Sequence, residues 1–262
     1  MAQRPLIAIT VQAASRAQDA ARARRKNALY VAAVERAGGE PRVIDETATE
    51  GQRRALFSTM AGLLLTGGAD LDPSHYGESV AGAAEIEPGR DALEWSAWLA
   101  AGERGLLPVL GICRGFQAIN VFSGGRLIQH LDGHASPAYG TGPAERHPLR
   151  ILADSRLAAL VGPPAGPAGQ RAGDGSLFSV NTYHHQGVRP SDLGRGLRAT
   201  GFSPWEGAAG ELVEALEGTD PQRFLVAVQC HPERTESSPA SFARLFEAFV
   251  EATRSAEAAR PA

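Results

Sequence analysis

The chain has 262 residues and a mass of 27.5 kDa, enough for one large α/β domain or two small ones. Hydrophobic residues make up 43% and charged residues 21%. That composition excludes global disorder, and apolar runs no longer than about half a dozen residues exclude a membrane-spanning helix. The formal charge, 26 minus 29 or −3, argues against nucleic acid as the main partner, because phosphate binding calls for a positive excess.

Leu6 to Thr10 is a short apolar run that predicts a buried strand. Arg24 to Ala37 reads as a helix with Leu29, Ala33, Val34 and Ala37 on one side, stopped by Gly38-Gly39. The basic run Arg22, Arg24, Arg25 and Lys26 is expected on a solvated helix end; Lys26 is the sole lysine among 26 basic residues. Strands follow at Arg42–Ile44 and Gly62–Thr66, a helix at Asp91–Arg104, a strand at Pro108–Ile112 and a helix at Gly115–Phe122. Short apolar strands alternating with helices imply βαβ units and a parallel sheet covered on both faces. The second half changes character. Leu149–Leu152, Leu177–Val180, Leu197–Thr200, Leu212–Leu216 and Phe224–Val228 are strand candidates with little helix between them, read as antiparallel additions to the same sheet. From Pro239 to Arg254, Phe242, Leu245, Phe246, Phe249 and Val250 form one apolar helical stripe. Gly133–Arg146 and Gly162–Gly175 read as loops, the second as an insertion within one domain spanning residues 1–262.

Three segments carry chemistry. Gly111-Ile112-Cys113-Arg114-Gly115 lies between a strand and a helix and has the pattern of a nucleophile elbow with Cys in place of Ser. A helix N-terminus favours the thiolate at Cys113, and the Arg114 N–H is placed to hold an oxyanion. The same pentapeptide also fits a buried cysteine in a glycine-rich turn. A strand ends at Cys230-His231-Pro232-Glu233. His231 can act as base to a thiol and Glu233 as its orienting acceptor, although a surface His and Glu would look the same. Cys230 faces away from its neighbour on a strand and reads as a packed thiol. Gly67-Gly68 follows another strand, and the Gly68 N–H is the candidate second oxyanion donor.

Taken together, these segments resemble the class I glutamine amidotransferase domains, and most closely the γ-glutamyl-γ-aminobutyrate hydrolase family. The residues that carry the resemblance are Gly-Ile-Cys-Arg-Gly-Phe-Gln, Gln-Cys-His-Pro-Glu, Leu-Thr-Gly-Gly-Ala-Asp-Leu-Asp-Pro, Arg90-Asp91 and Asn181-Thr182-Tyr183-His184-His185-Gln186. The resemblance spans roughly Leu6 to Val250. It implies an α/β, flavodoxin-like, doubly wound and mostly parallel sheet with an added antiparallel edge. It also implies a Cys113–His231–Glu233 triad, backbone oxyanion donors at Gly68 and Arg114, and substrate contacts from Gln117 and His184. Asp70 and Asp72 fit an Asx turn or cap equally well.

The expected activity is hydrolysis of a γ-glutamyl amide through a thioester, with no metal and no organic cofactor. Zinc at Cys113, His184 and His231 is disfavoured, because the tight paired spacing of a zinc site is missing. The expected partner is a small γ-glutamyl molecule, with no nucleic acid and no membrane. A homo-oligomer is left open, as is the leaving amine. The alternatives are a glutaminase subunit feeding ammonia to a synthase, and a binding relative without turnover. Without a secretory signal after Met1, and with two cysteines rather than a disulfide framework, the expected location is the cytoplasm.

Overall fold

The computed structural model describes residues 4–132, 134, 143–164, 171–172, 174–205 and 210–258. Strand and helix alternate through the first half of the chain. In order they are β1 (Leu6–Thr10), α1 (Ala20–Arg36), β2 (Glu40–Ile44), α2 (Glu50–Thr59), β3 (Gly62–Leu65), α3 (Pro88–Glu103), β4 (Val109–Ile112) and α4 (Arg114–Phe122). Strands dominate thereafter: β5 (Arg146–Leu152), α5 (Arg156–Val161), β6 (Arg171–Ala172), β7 (Gly175–Asn181), β8 (Leu197–Trp205), β9 (Gly210–Gly218), β10 (Leu225–Val228) and α6 (Arg244–Ala258). Most of the Gly133–Arg146 loop and the middle of the Gly162–Gly175 loop lie outside the described residues.

One sheet joins the strands in the order β2-β1-β3-β4-β10-β9-β8-β5-β7-β6. Pairing is parallel from β2 to β10 and antiparallel from there to β6. Side chains alternate across the central strands, as a pleated backbone requires. Ile7, Ile9, Leu64, Leu110, Ile112, Val226 and Val228 face a core closed by Tyr30 and Val34 of α1 and by Phe246, Phe249 and Val250 of α6. Ala8, Leu63, Leu65, Val109 and Ala227 face the other core, against Phe57 of α2, Leu93 and Ala97 of α3, and Phe116 and Ile119 of α4. Both faces of the parallel half are therefore covered, which explains why its strands read as continuous apolar runs.

The sequence pattern misses α2 because Phe57 is its one fully buried residue, so no apolar stripe forms. The cap identifies it instead. Thr49 accepts from the Gln52 N–H, and the Gln52 side chain answers to the Thr49 N–H in a reciprocal capping box. The short α5 is signalled only by its Ser155 cap. No helix among the described residues is long and apolar enough to cross a membrane.

Candidate active site

The carboxyl ends of the parallel strands converge on one pocket, where an open α/β sheet places its ligands. Gln12 follows β1, Gly67 and Gly68 follow β3, Cys113 follows β4 and His231 follows β10; Lys26, Asn27 and Tyr30 of α1 and Tyr183 complete the wall.

Cys113 holds φ 54° and ψ −107° at the mouth of α4. A side chain rarely accepts that conformation, and its cost is on the order of 1–3 kcal/mol. The surroundings enforce it. The Cys113 N–H donates to the Val228 carbonyl at 2.9 Å, tying the elbow to β10. At Gly115 a Cβ would stand 2.1 Å from the Leu65 carbonyl oxygen, so α4 can start there only on a bare backbone. The thiol is 6% exposed. Cys230, by contrast, sits in the core among Val226 and Phe246, and burial pushes its thiol well above the ordinary range.

His231 is fixed on several sides. Its Nδ1 lies 2.7 Å from Glu233 Oε1 and 3.4 Å from the Tyr30 hydroxyl. Asn181 clamps its backbone, accepting from the N–H at 2.8 Å and donating to the carbonyl at 3.1 Å. The Tyr183 ring meets the imidazole edge-on, with centroids 5.3 Å apart. Burial works against the imidazolium, but the Glu233 carboxylate, the Cys113 thiolate and hydrogen bonds to both outweigh it, and the pKa is pushed up from 6.5 to about 10. Because the folded value is raised, the stability this pair contributes is complete below about pH 6.5 and is lost as pH rises through 10. The His231 ring resonance, followed by NMR in histidine-labelled protein, is accordingly expected to stay at its imidazolium position through neutral pH. Alkylating Cys113, or Glu233→Gln, is expected to bring the titration down by a unit or more; titration near pH 6.5 in the untreated protein would rule out the ion pair.

The backbone N–H groups expected to hold an oxyanion lie on two segments. The Gly67 N–H donates to the Tyr30 hydroxyl at 3.1 Å, and Gly68, which also lines the pocket, is the next N–H along. Arg114 opens α4 beside the thiol. Its side chain turns inward to pair with Glu94 and Asp91, all three at most 1% exposed. Arg90 joins them: its Nε donates to Glu94 Oε1 at 3.0 Å, and its Nη2 donates to the carbonyls of Thr66 and Gly67, both at 3.1 Å. Thr10 Oγ1 adds a hydrogen bond to Glu94 at 2.9 Å. One buried network thus ties α3, the elbow and the loop after β3 into a rigid unit.

Gln117 and His184, which the resemblance implies at the substrate, are both buried. Gln117 is buried behind the elbow, donating to Gln229 Oε1 at 3.2 Å and toward the Gln186 carbonyl at 3.5 Å. His184 is buried on the antiparallel side, its Nδ1 2.9 Å from the Gln186 carbonyl. Neither lines the Cys113 pocket. Lys26, expected in solvent, is half-buried in the pocket wall, while Arg24 and Arg25 stay exposed. Burial lowers its pKa, helped by Arg22 and Arg234 and opposed by the Cys113 thiolate. Lys26, Asn27 and Tyr30 share one helical face, a spacing that becomes a signal only once that face is known to look at a nucleophile. Asp72 caps a 3-10 turn through the Ser74 N–H, whereas Asp70 pairs with His185 at 2.9 Å.

Fold and site define an α/β domain of the class I glutamine amidotransferase type. The chain belongs to the peptidase C26 family, which it matches over residues 5–233, and it is a glutamine amidotransferase-like hydrolase. Among its relatives is a Mycobacterium tuberculosis protein named after the glutamine amidotransferases, 37% identical over 201 residues, or 75% of this chain; the match spans 57% of that longer protein. The Escherichia coli γ-glutamyl-γ-aminobutyrate hydrolase PuuD is 30% identical over 235 residues, 85% of this chain and 84% of its own. Among solved structures, the glutaminase domain of Trypanosoma brucei CTPS, with bound acivicin, superposes with a TM-score of 0.63 at 16% identity, covering 96% of this chain and 94% of that one.

Proposed function

We propose that this protein hydrolyses the γ-glutamyl amide bond of small γ-glutamyl amines in the cytoplasm. The observation that carries the reading is the pairing of a thiol on a strained elbow with an imidazole already oriented by a carboxylate across the same pocket. The Cys113 thiolate attacks the γ-carbonyl carbon and a C–S bond forms. The oxyanion is held by the N–H groups of Gly68 and Arg114. The His231 imidazolium gives its proton to the leaving nitrogen, the C–N bond breaks and the free amine departs. Neutral His231 then takes a proton from water, which attacks the thioester and releases glutamate, restoring thiolate and imidazolium. Glu233 holds the imidazole in the required tautomer throughout. Lys26 supplies a cation in the pocket wall suited to a substrate carboxylate.

The relatives named for a γ-glutamyl-γ-aminobutyrate hydrolase support a leaving amine with a carbon chain rather than ammonia. The test is a panel of γ-glutamyl amines with glutamate release as the readout. A γ-glutamyl amine is expected to be cleaved faster than glutamine in kcat/KM by roughly tenfold to a few hundredfold, since a buried alkyl chain contributes about 1–3 kcal/mol. Glutamine as the better substrate, or activity that appears only with a second protein, would assign the chain to the ammonia-transferring branch.

A further inference from the structure

A second cluster of polar side chains lies on the antiparallel half of the sheet, outside the Cys113 pocket. Glu214 of β9 is 1% exposed, and neither of its carboxylate oxygens has a hydrogen-bond partner. Three imidazoles surround it. His147 Nε2 of β5 lies 3.5 Å from Glu214 Oε2, and His184 Nε2 lies 3.8 Å from the same oxygen. The donor atoms of His134, His147 and Glu214 all lie within 4.8 Å of one another. The three ring centroids are 5.5, 5.5 and 5.8 Å apart.

The rings are also held from behind, His147 Nδ1 by the Ser203 hydroxyl at 3.1 Å among others. His147 Nδ1 is 3.0 Å from the Pro148 carbonyl, His184 Nδ1 is 2.9 Å from the Gln186 carbonyl, and the His134 ring hydrogen-bonds the backbone of Asp132. All three Nε2 atoms are buried without a hydrogen-bond partner. An imidazole whose Nδ1–H is held by a carbonyl presents a bare Nε2 lone pair, the arrangement in which histidine ligates a metal. Even with Glu214 protonated, the four groups hold one donor for three lone pairs, so hydrogen bonds within the four cannot satisfy them all, and buried acceptors left this way are costly.

We propose that His134, His147 and Glu214, whose donor atoms gather within 4.8 Å of one another, bind one divalent transition-metal ion, zinc by the chemistry of the donor set, with His184 beside them. Two nitrogens and one oxygen supply three corners of a tetrahedral zinc shell, and bonds of about 2.0–2.1 Å set neighbouring donors about 3.3 Å apart. The His147–Glu214 contact, at 3.5 Å, is close to that spacing. The ion cross-links β5 and β9, with β8 between them, and the chain at His134. No metal is expected from the sequence: Cys113, His184 and His231 lack the spacing of a zinc site, and His130 and His134, four apart, have no adjacent Glu. His134 and His147 lie across a loop from each other, and Glu214 is 67 residues beyond His147 by subtraction of their numbers, so no spacing motif exists to be read.

The test uses the untagged full chain, stripped with a chelator, reloaded with zinc chloride and desalted. About one zinc per chain is expected by elemental analysis, with a melting temperature that rises with zinc and not with magnesium. Glu214→Gln and the half-buried His134→Asn are each expected to weaken zinc binding by at least about tenfold, whereas Cys113→Ala retains full zinc. If Glu214→Gln fails to fold, His134→Asn decides. The proposal is overturned if the wild-type chain keeps no zinc above background, if His134→Asn binds zinc as tightly as wild type, or if zinc is lost with Cys113. None of these readouts depends on γ-glutamyl cleavage, so this site and the proposed reaction stand or fall separately.

Discussion

Replacing Cys113 with alanine is expected to reduce glutamate release from a γ-glutamyl amine by about 10⁴-fold or more, because in the proposed mechanism Cys113 is the nucleophile and its removal closes the covalent route. The fold should survive, since an alanine keeps the backbone and gives up one sulfur. The strained elbow adds a second expectation. Alanine inherits the cost of φ 54° and ψ −107°, whereas glycine adopts positive φ readily. Cys113→Gly is therefore expected to be as inactive as the alanine variant and more stable than it by about 1–3 kcal/mol in urea unfolding. Equal stability of the two variants would show that the elbow stores no strain, and more than trace turnover by either would remove Cys113 from the role of nucleophile.

The second large effect lies away from the thiol. Glu94 is fully buried and pairs with Arg90 and Arg114 while accepting from Thr10. Glu94→Ala leaves Arg114 with Asp91 and Arg90 with the more distant Glu87, 3.8 Å away, and breaking a buried pair in this way costs about 3–5 kcal/mol. Activity is expected to fall with stability, because Arg90 holds the Thr66 and Gly67 carbonyls and Arg114 holds the elbow. Glu94→Gln keeps an acceptor and should recover part of the loss. Urea unfolding of the three proteins measures the effect, and a change below about 0.5 kcal/mol in Glu94→Ala would mean that Asp91, Glu87 and water suffice for both arginines.

The residues best read from the sequence are those whose chemistry depends on local chain geometry. Cys113 needs a tight strand-to-helix turn, and its flanking glycines declare that turn in five residues. The His231 and Glu233 side chains, two positions apart, need only a strand end and a proline-stiffened turn to meet, and they do meet at 2.7 Å. The alternation of apolar strands and helices in the first half likewise follows from periodicities of 2 and 3.6, and so does the stripe of α6. What depends on distant segments was not legible. Nothing in the sequence marks the Arg90 and Arg114 side chains as buried, yet they are, because α3 packs on α4 and carries Asp91 and Glu94 with it. Lys26 looks solvated because a helix end looks the same whether it faces water or a pocket. The resemblance implies His184 at the substrate, and its contact with Glu214, beside His134 and His147, comes from strand pairing that no motif announces. Local pattern sets which elements form and where a turn exposes a side chain. Only the pairing order of the sheet decides which buried charges share a neighbour, because that neighbour comes from parts of the chain that no short motif spans.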